Sequence, residues 1–330
     1  MENPSDRPRI SIVTPAYNEA ENLPVLYREL CTVLDRMPVD WEWLVIDDHS
    51  SDTTFGVLTD LSLRDPRVRA LRFARNSGSH LACTCGLREA SGDCAVIMAA
   101  DMQDPPETIP KLFERWRDGV QVVWAVRAAR LGEKASTIAL SRSFNWILRR
   151  FTGMRDMPAA DYFLVDRRVL DAFRQFAESN TSVMTLIAWM GFRQESLLYV
   201  KEARAHGVSK WSLEKKFKLA VDCITSFTYL PIRYMSYAGL IVALLGFLYA
   251  GSVFVNAFRG HPIQGWTSLM IVVLVLGGMQ MIMMGILGEY LWRALDESRR
   301  RPRYLIEGSV GRSQGRQDNS SDSDQSREHP

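Results

Sequence analysis

Two stretches of this 330-residue chain carry no charge: Met235 to Phe258, MSYAGLIVALLGFLYAGSVFVNAF, and Trp266 to Gly288, WTSLMIVVLVLGGMQMIMMGILG. Each exceeds the ~20 residues a helix needs to cross a hydrocarbon core. A buried helical pair in a soluble core is the competing reading, but such helices seldom run this far without one charge. The connector RGHPIQG is too short for a domain, so the two spans, 235–258 and 266–288, form a transmembrane hairpin over 233–292 that returns to its starting side.

The flanks orient the hairpin. Lys215, Lys216, Lys218 and Arg233 precede it and Arg293, Arg299, Arg300, Arg301 and Arg303 follow it, against Arg259 alone in the connector. The positive-inside rule puts both termini in the cytoplasm. The first residues contain no apolar run of signal-peptide length, which also keeps the N-terminal part in the cytosol. Within 212–232, Phe217, Val221, Ile224 and Phe227 share one helical face opposite lysines, as an amphipathic interfacial helix and linker would; packing on the soluble domain gives the same pattern. Residues 1–8 read as an N-terminal extension, 293–308 as a basic cytoplasmic segment, and 309–330, nearly devoid of apolar residues, as a disordered tail. Asn180 and Asn319 lie in Asn-x-Ser/Thr patterns that a cytosolic location leaves unmodified.

Net charge is only +2, so nothing global favours nucleic acid. The cysteines, Cys31, Cys83, Cys85, Cys94 and Cys223, are odd in number and lack zinc spacing, which reads as buried reduced thiols.

From Arg9 to about Arg127 the pattern alternates. Strands are expected at Ile10 to Thr14, Trp41 to Asp47, Val68 to Phe73 and Ala95 to Ala99, with helices at Glu21 to Met37, Asp52 to Leu63 and His80 to Ala90. Alternation of this kind implies an α/β fold with a mostly parallel sheet flanked by helices. Such sheets bind ligands beyond the carboxyl ends of their strands. Polar residues gather at those ends: Tyr17, Asn18 and Glu19; Asp47 and Asp48; Arg75 and Asn76; then Asp101.

The first strand leads into TPAYNEAEN, which has neither GxGxxG nor GxxxxGK[ST], so dinucleotide and P-loop sites are disfavoured. A nucleotide site of another kind is open. Asp48 can accept hydrogen bonds from a base imide or ribose hydroxyl and Tyr17 can stack on a base, whereas Asp52 serves equally well as a helix cap. In ADMQDPPE, Asp101 is either a turn carboxylate ahead of a Pro-initiated helix or, with the Gln103 carbonyl oxygen, a ligand for a hard cation that also holds a diphosphate.

Taken together, VTPAYNEAENL, VIDDHSSDTT, RNSG with GLREASGD, ADMQDPPE, GVSKWS and GEYLWR resemble, in order, the motifs of the inverting family 2 glycosyltransferases. The resemblance is specifically to the polyprenyl-phosphate glycosyltransferases related to dolichyl-phosphate mannose synthase, in a bacterial form with two C-terminal transmembrane helices. It spans Ile10 to Ile306 and implies a GT-A, Rossmann-like fold over 9–211 on the cytoplasmic face of a bacterial inner membrane. The implied activity transfers one sugar from a UDP- or GDP-linked donor to polyprenyl phosphate, supplying a lipid-linked sugar for cell-envelope glycans. The resemblance assigns Pro15, Tyr17, Asn18, Glu19, Asp48 and Arg75 to the nucleotide sugar, and Asp101 and Gln103 to the same ligand through Mg²⁺ or Mn²⁺. It assigns Arg127 and Arg130 to phosphates, Arg204, Ser209 and Lys210 to acceptor or donor phosphates, and Asp161 to the catalytic base or an orienting role.

Two positions depart from the pattern. Ala99 stands where the family's Asp-x-Asp metal motif has its first carboxylate, and Trp211 replaces a tyrosine. Ala99 keeps a different class of protein in view, a membrane-anchored sugar-nucleotide-binding scaffold without turnover. A processive polysaccharide synthase shares the catalytic core, but two spans are too few for a polymer channel. Gly277, Gly278 and Gly285 would permit close packing in a homo-oligomer.

Overall fold

The computed structural model describes residues 7–127, 160–176, 182–199, 230–259, 265–299 and 301–311. Arg130, Arg204, Ser209, Lys210, Trp211, Asn180, Asn319, Cys223 and the expected interfacial helix lie outside the described residues.

The apolar runs become the central strands. β1 (Arg9–Ala16), β2 (Asp40–Asp47), β3 (Val68–Phe73) and β4 (Cys94–Ile97) pair in parallel in the order β3-β2-β1-β4. They are covered on both faces, which is why they read as continuous rather than alternating hydrophobics. One core, with Leu23, Leu26, Leu30, Trp43 and Leu58, lies under α1 (Leu23–Leu34) and α2 (Thr54–Arg64). The other, with Val13, Ile46, Phe73, Leu87 and Phe163, lies under α3 (Ser79–Glu89). Pro110 opens α4 (Ile109–Arg117), where its missing N–H costs nothing.

The remaining strands make the sheet mixed. β6 (Tyr162–Asp166) runs antiparallel to β4, β5 (Val122–Arg127) antiparallel to β6, and β7 (Gln194–Tyr199) parallel to β5. α5 (Arg167–Gln175) and α6 (Val183–Trp189) pack on the α3 side. Four of the seven pairings are parallel, as a mostly parallel sheet requires.

The hairpin region forms α7 (Leu230–Phe258) and α8 (Trp266–Ser298). Within α7, Ile232–Asn256 has a mean hydropathy of 2.2 and no buried share, and it is the one segment among the described residues that satisfies length and composition for a span. α8 extends past Gly288 because GEYLWRALDES continues as helix, with Glu289 and Arg293 paired at 3.0 Å across one turn.

The C-terminal segment differs from expectation. β8 (Ile306–Val310) pairs antiparallel with β3, so the basic segment's end and the first residues of the expected disordered tail complete an eight-stranded sheet. Tyr304 stacks on Phe73 at 4.9 Å, and Leu305 accepts a hydrogen bond from the Ala74 N–H. A mostly polar edge strand is held by main-chain bonds, which side-chain composition does not encode.

Candidate active site

The carboxyl ends of β1, β2 and β4 share one edge of the sheet, and the chain leaves each through a non-glycine residue with left-handed backbone. These are Asn18 (φ 57°), His49 (φ 59°) and Met102 (φ 58°). Such residues are uncommon and persist where surrounding bonds overdetermine them. The bonds are present: the Asn18 N–H donates to Ser50 Oγ at 2.9 Å and Asn18 Oδ1 accepts from the Ser51 N–H at 2.8 Å. The Glu19 N–H donates to Thr54 Oγ1 at 2.9 Å, and Glu19 Oε2 accepts from Asn22 at 2.6 Å. Pro15 and Tyr17 are half-buried on the same β1 exit.

Asp47 and Asp48 are both buried. Asp47 Oδ1 accepts from the Ser50 N–H at 2.9 Å, and Arg72 Nη1 stands 3.4 Å from Oδ2. Asp48 accepts from the backbone N–H groups of Ser77 at 2.6 Å and Gly78 at 2.8 Å. Burial pushes the Asp48 carboxyl above the usual carboxylate range, while those two N–H groups pull it back. Part of the RNSG motif is thereby a clamp on Asp48, with Gly78 (φ 92°) supplying a backbone geometry other residues resist. Arg75 projects beyond β3 and is exposed. Asp52 stands one residue before the α2 N-cap, Thr53, and accepts from the Thr54 N–H at 2.9 Å; although partial burial raises its pKa, hydrogen bonds from Thr54 side chain and backbone and from the Ala20 N–H hold it low.

GLREASGD belongs to the opposite end of the sheet. Ser91 donates twice to buried Glu42 at 2.8 Å, and Asp93 accepts from the Arg9 N–H at 2.8 Å. A side chain at Gly92 would stand 2.6 Å from the Arg9 carbonyl oxygen, so this motif is scaffold.

The turn after β4 holds Asp101, half-buried, whose Oδ1 accepts from the Gln103 N–H at 3.3 Å. Asp101 and the Gln103 carbonyl offer oxygen donors only, and among the described residues no three His, Cys, Asp or Glu side chains converge. That donor set suits Mg²⁺ or Mn²⁺, since a small hard cation is held by one or two carboxylates with substrate phosphates and water completing its shell. It suits Zn²⁺ less well, since zinc sites are built mainly on His nitrogen and Cys sulfur with carboxylates as additional ligands.

Asp104 departs from the simple turn role that QDPPE suggests. It is 1% exposed, and Tyr199 from β7 donates its hydroxyl to Oδ1 at 2.5 Å. Burial, then the bond to Asp104, pushes the Tyr199 hydroxyl pKa up, which fits a neutral donor to a buried carboxylate. The Tyr162 hydroxyl holds the Pro105 carbonyl at 3.2 Å. Arg127 is exposed at the end of β5, and its charge pulls the Tyr199 hydroxyl pKa partly back. Ninety-five residues separate Tyr199 from Asp104. Only the aromatic at the end of an apolar run hinted at this link.

Asp161 precedes β6. The antiparallel register pairs Ile97 with Phe163. The ladder ends there, two residues before Ala99 on one strand and two residues after Asp161 on the other, so both residues lie just beyond the same end of the β4–β6 pair. Asp161 also faces α3: burial depresses the His80 pKa against the opposing Asp161 charge, and burial with that charge pushes the Cys83 thiol to about 12. Cys85, likewise buried, is pushed to about 12, so the α3 thiols are inert, as expected of reduced structural cysteines.

The chain matches the glycosyl transferase family 2 profile over residues 11–170 and the GtrB C-terminal hairpin profile over 230–293. It is 37% identical over 306 residues to the uncharacterized glycosyltransferase YkcC of Bacillus subtilis, covering 91% of this chain and 94% of that one. It is 34% identical over 300 residues to the bactoprenol glucosyl transferase of Shigella phage SfV, covering 90% and 98%. Among solved structures it aligns with glucosyl-3-phosphoglycerate synthase of Mycobacterium tuberculosis in complex with Mn²⁺ and UDP-glucose, at 18% identity, TM-score 0.46, and 67% and 78% coverage.

Proposed function

The chain belongs to glycosyl transferase family 2, and on that premise we propose that it is a membrane-anchored inverting glycosyltransferase moving one sugar from a UDP- or GDP-linked donor to polyprenyl phosphate. The observation that carries this is continuity: one alignment to a bactoprenol glucosyl transferase runs through catalytic domain and hairpin together, over 98% of that relative.

In this reading Pro15, Tyr17, Asn18, Glu19, Asp48 and Arg75 surround the nucleoside, and Asp101 with Gln103 holds the diphosphate through Mg²⁺ or Mn²⁺. A bound divalent ion would neutralise charge gathering on the departing nucleoside diphosphate. Arg127, Arg130, Arg204, Ser209 and Lys210 offset the repulsion between two phosphorylated substrates. The acceptor is a phosphate monoester with a second pKa near ~6, mostly dianionic at pH 7, so its oxygen needs little help losing a proton. Asp161 therefore orients the site or binds a sugar hydroxyl. The hairpin crosses the bacterial inner membrane twice, with both termini and the catalytic domain cytoplasmic.

Membranes containing the full chain, given radiolabelled nucleotide sugar and polyprenyl phosphate, should yield a single sugar on the lipid, and EDTA should suppress it. Product that persists in EDTA removes the metal role of Asp101. No product with any common donor favours the non-catalytic scaffold that Ala99 suggests, and polymer on the lipid indicates a processive synthase.

A further inference from the structure

The strand that follows the membrane hairpin does more than close the sheet edge. Glu307, on β8, lies 3.4 Å from Arg72 Nε and 3.5 Å from His49 Nδ1 through the same oxygen, Oε2. Arg72 carries that contact inward: Nη1 faces buried Asp47 at 3.4 Å, Nη2 donates to the Ser50 carbonyl at 3.2 Å, and its guanidinium lies over the Phe55 ring at 5.4 Å. His49 Nδ1 also meets the Phe73 carbonyl at 3.0 Å. Two acceptors facing one ring nitrogen put the proton on Nδ1. Ser50 in turn holds the Asn18 N–H, so the loop carrying Asp48 and the β1 exit are tied together through Ser50, whose carbonyl is held by the Arg72 that Glu307 touches.

We infer that Glu307 is a positioning residue for the nucleotide site, acting through Arg72 and His49 to fix the Asp47–Ser51 loop. The inference rests on the proposed assignment of Asp48 and Asn18 to the donor. Its sequence signature is weak because Glu307 is 235 residues from Arg72 (307 − 72) and sits beyond the last span. The side chain is half exposed, so its contacts with Arg72 and His49 contribute little to global stability. Their effect is local: they limit the conformations of a loop that already carries a left-handed residue.

The test uses the full chain in detergent, with UDP and GDP as calorimetric probes and the lipid-product assay for kinetics. For whichever nucleotide binds, Glu307→Ala should weaken affinity about fivefold, the scale of an exposed ion pair worth about 1 kcal/mol. It should raise donor KM similarly, with kcat, acceptor KM and unfolding temperature nearly unchanged. Glu307→Gln, which keeps an acceptor for Arg72, should recover part of the loss, and Ser309→Ala should recover wild-type values. Unchanged nucleotide affinity in Glu307→Ala, while Asp48→Ala loses binding, overturns the inference alone. Equal losses in donor KM, acceptor KM and unfolding temperature also overturn it, since they mark a merely structural edge. If Asp48→Ala binds like wild type, the site assignment falls and this inference with it.

Discussion

Replacing Gly86 by alanine tests whether helix α3 is seated as tightly as the geometry requires. In an ordinary helix interior the change stabilises by about 1 kcal/mol. Here a Cβ at residue 86 would stand 2.1 Å from Val13 Cγ1, 3.3 Å from Val13 Cβ and 3.4 Å from Ile46 Cγ1. The first contact is shorter than ordinary carbon separations by roughly 1.5 Å. Val13 is fully buried on a strand bonded on both sides, so either its stiff β-branched side chain leaves its rotamer or α3 lifts. Overpacking of this kind costs about 1–3 kcal/mol, and a clash this short belongs at the upper end. Net of the propensity gain, Gly86→Ala should destabilise by about 2 kcal/mol, lowering the unfolding midpoint by about 4–8 °C for a domain of this size. Lifting α3 also moves the residues that lead into it, Ser77 and the N-cap Gly78, which clamp Asp48, so nucleotide affinity should fall with stability. The assay is thermal unfolding in detergent for Gly86→Ala, Val13→Ala and the double variant. Val13→Ala removes the clashing methyl, so the double variant should be more stable than additivity allows by about 1–3 kcal/mol. A midpoint that rises on Gly86→Ala, or strict additivity in the cycle, refutes the reasoning.

Ala99→Asp restores a second carboxylate beside Asp101 and should lower the metal concentration giving half-maximal turnover by about tenfold or more, because affinity follows ligand charge; an unchanged metal titration means residue 99 does not face the ion. Tyr199→Phe leaves buried Asp104 without its hydroxyl donor and should cost about 1–3 kcal/mol, visibly more than Tyr162→Phe, which loses a neutral bond to Pro105; equal midpoint shifts contradict this. Asp161→Asn should reduce kcat by less than the roughly 100-fold that marks a general base. Its pH–rate profile should follow the acceptor's second ionisation; a loss of about 1,000-fold or more across the profile reinstates Asp161 as the base.

The sequence by itself determined whatever is written in local periodicity. Continuous apolar runs fixed β1 to β4, though β4 ends at Ile97 rather than Ala99 because the chain already turns toward left-handed Met102. Uncharged length fixed α7 and α8, and polar residues at strand exits marked Asn18, Glu19, Asp48 and Asp101, since strand direction alone collects those ends on one edge. Tertiary structure decided the rest. The Asp104–Tyr199 bond, the β4–β6 register that pairs Ile97 with Phe163, and the capture of β8 by β3 each join residues from 66 (163 − 97) to more than 200 positions apart. Main-chain pairing carries no side-chain code, and a carboxylate in a turn motif looks the same whether water or a distant tyrosine satisfies it. Two motifs legible in sequence, RNSG and GLREASGD, acquired their meaning only in the fold: one clamps Asp48, and the other closes the far end of the sheet through Glu42, because each is defined by the partner it meets.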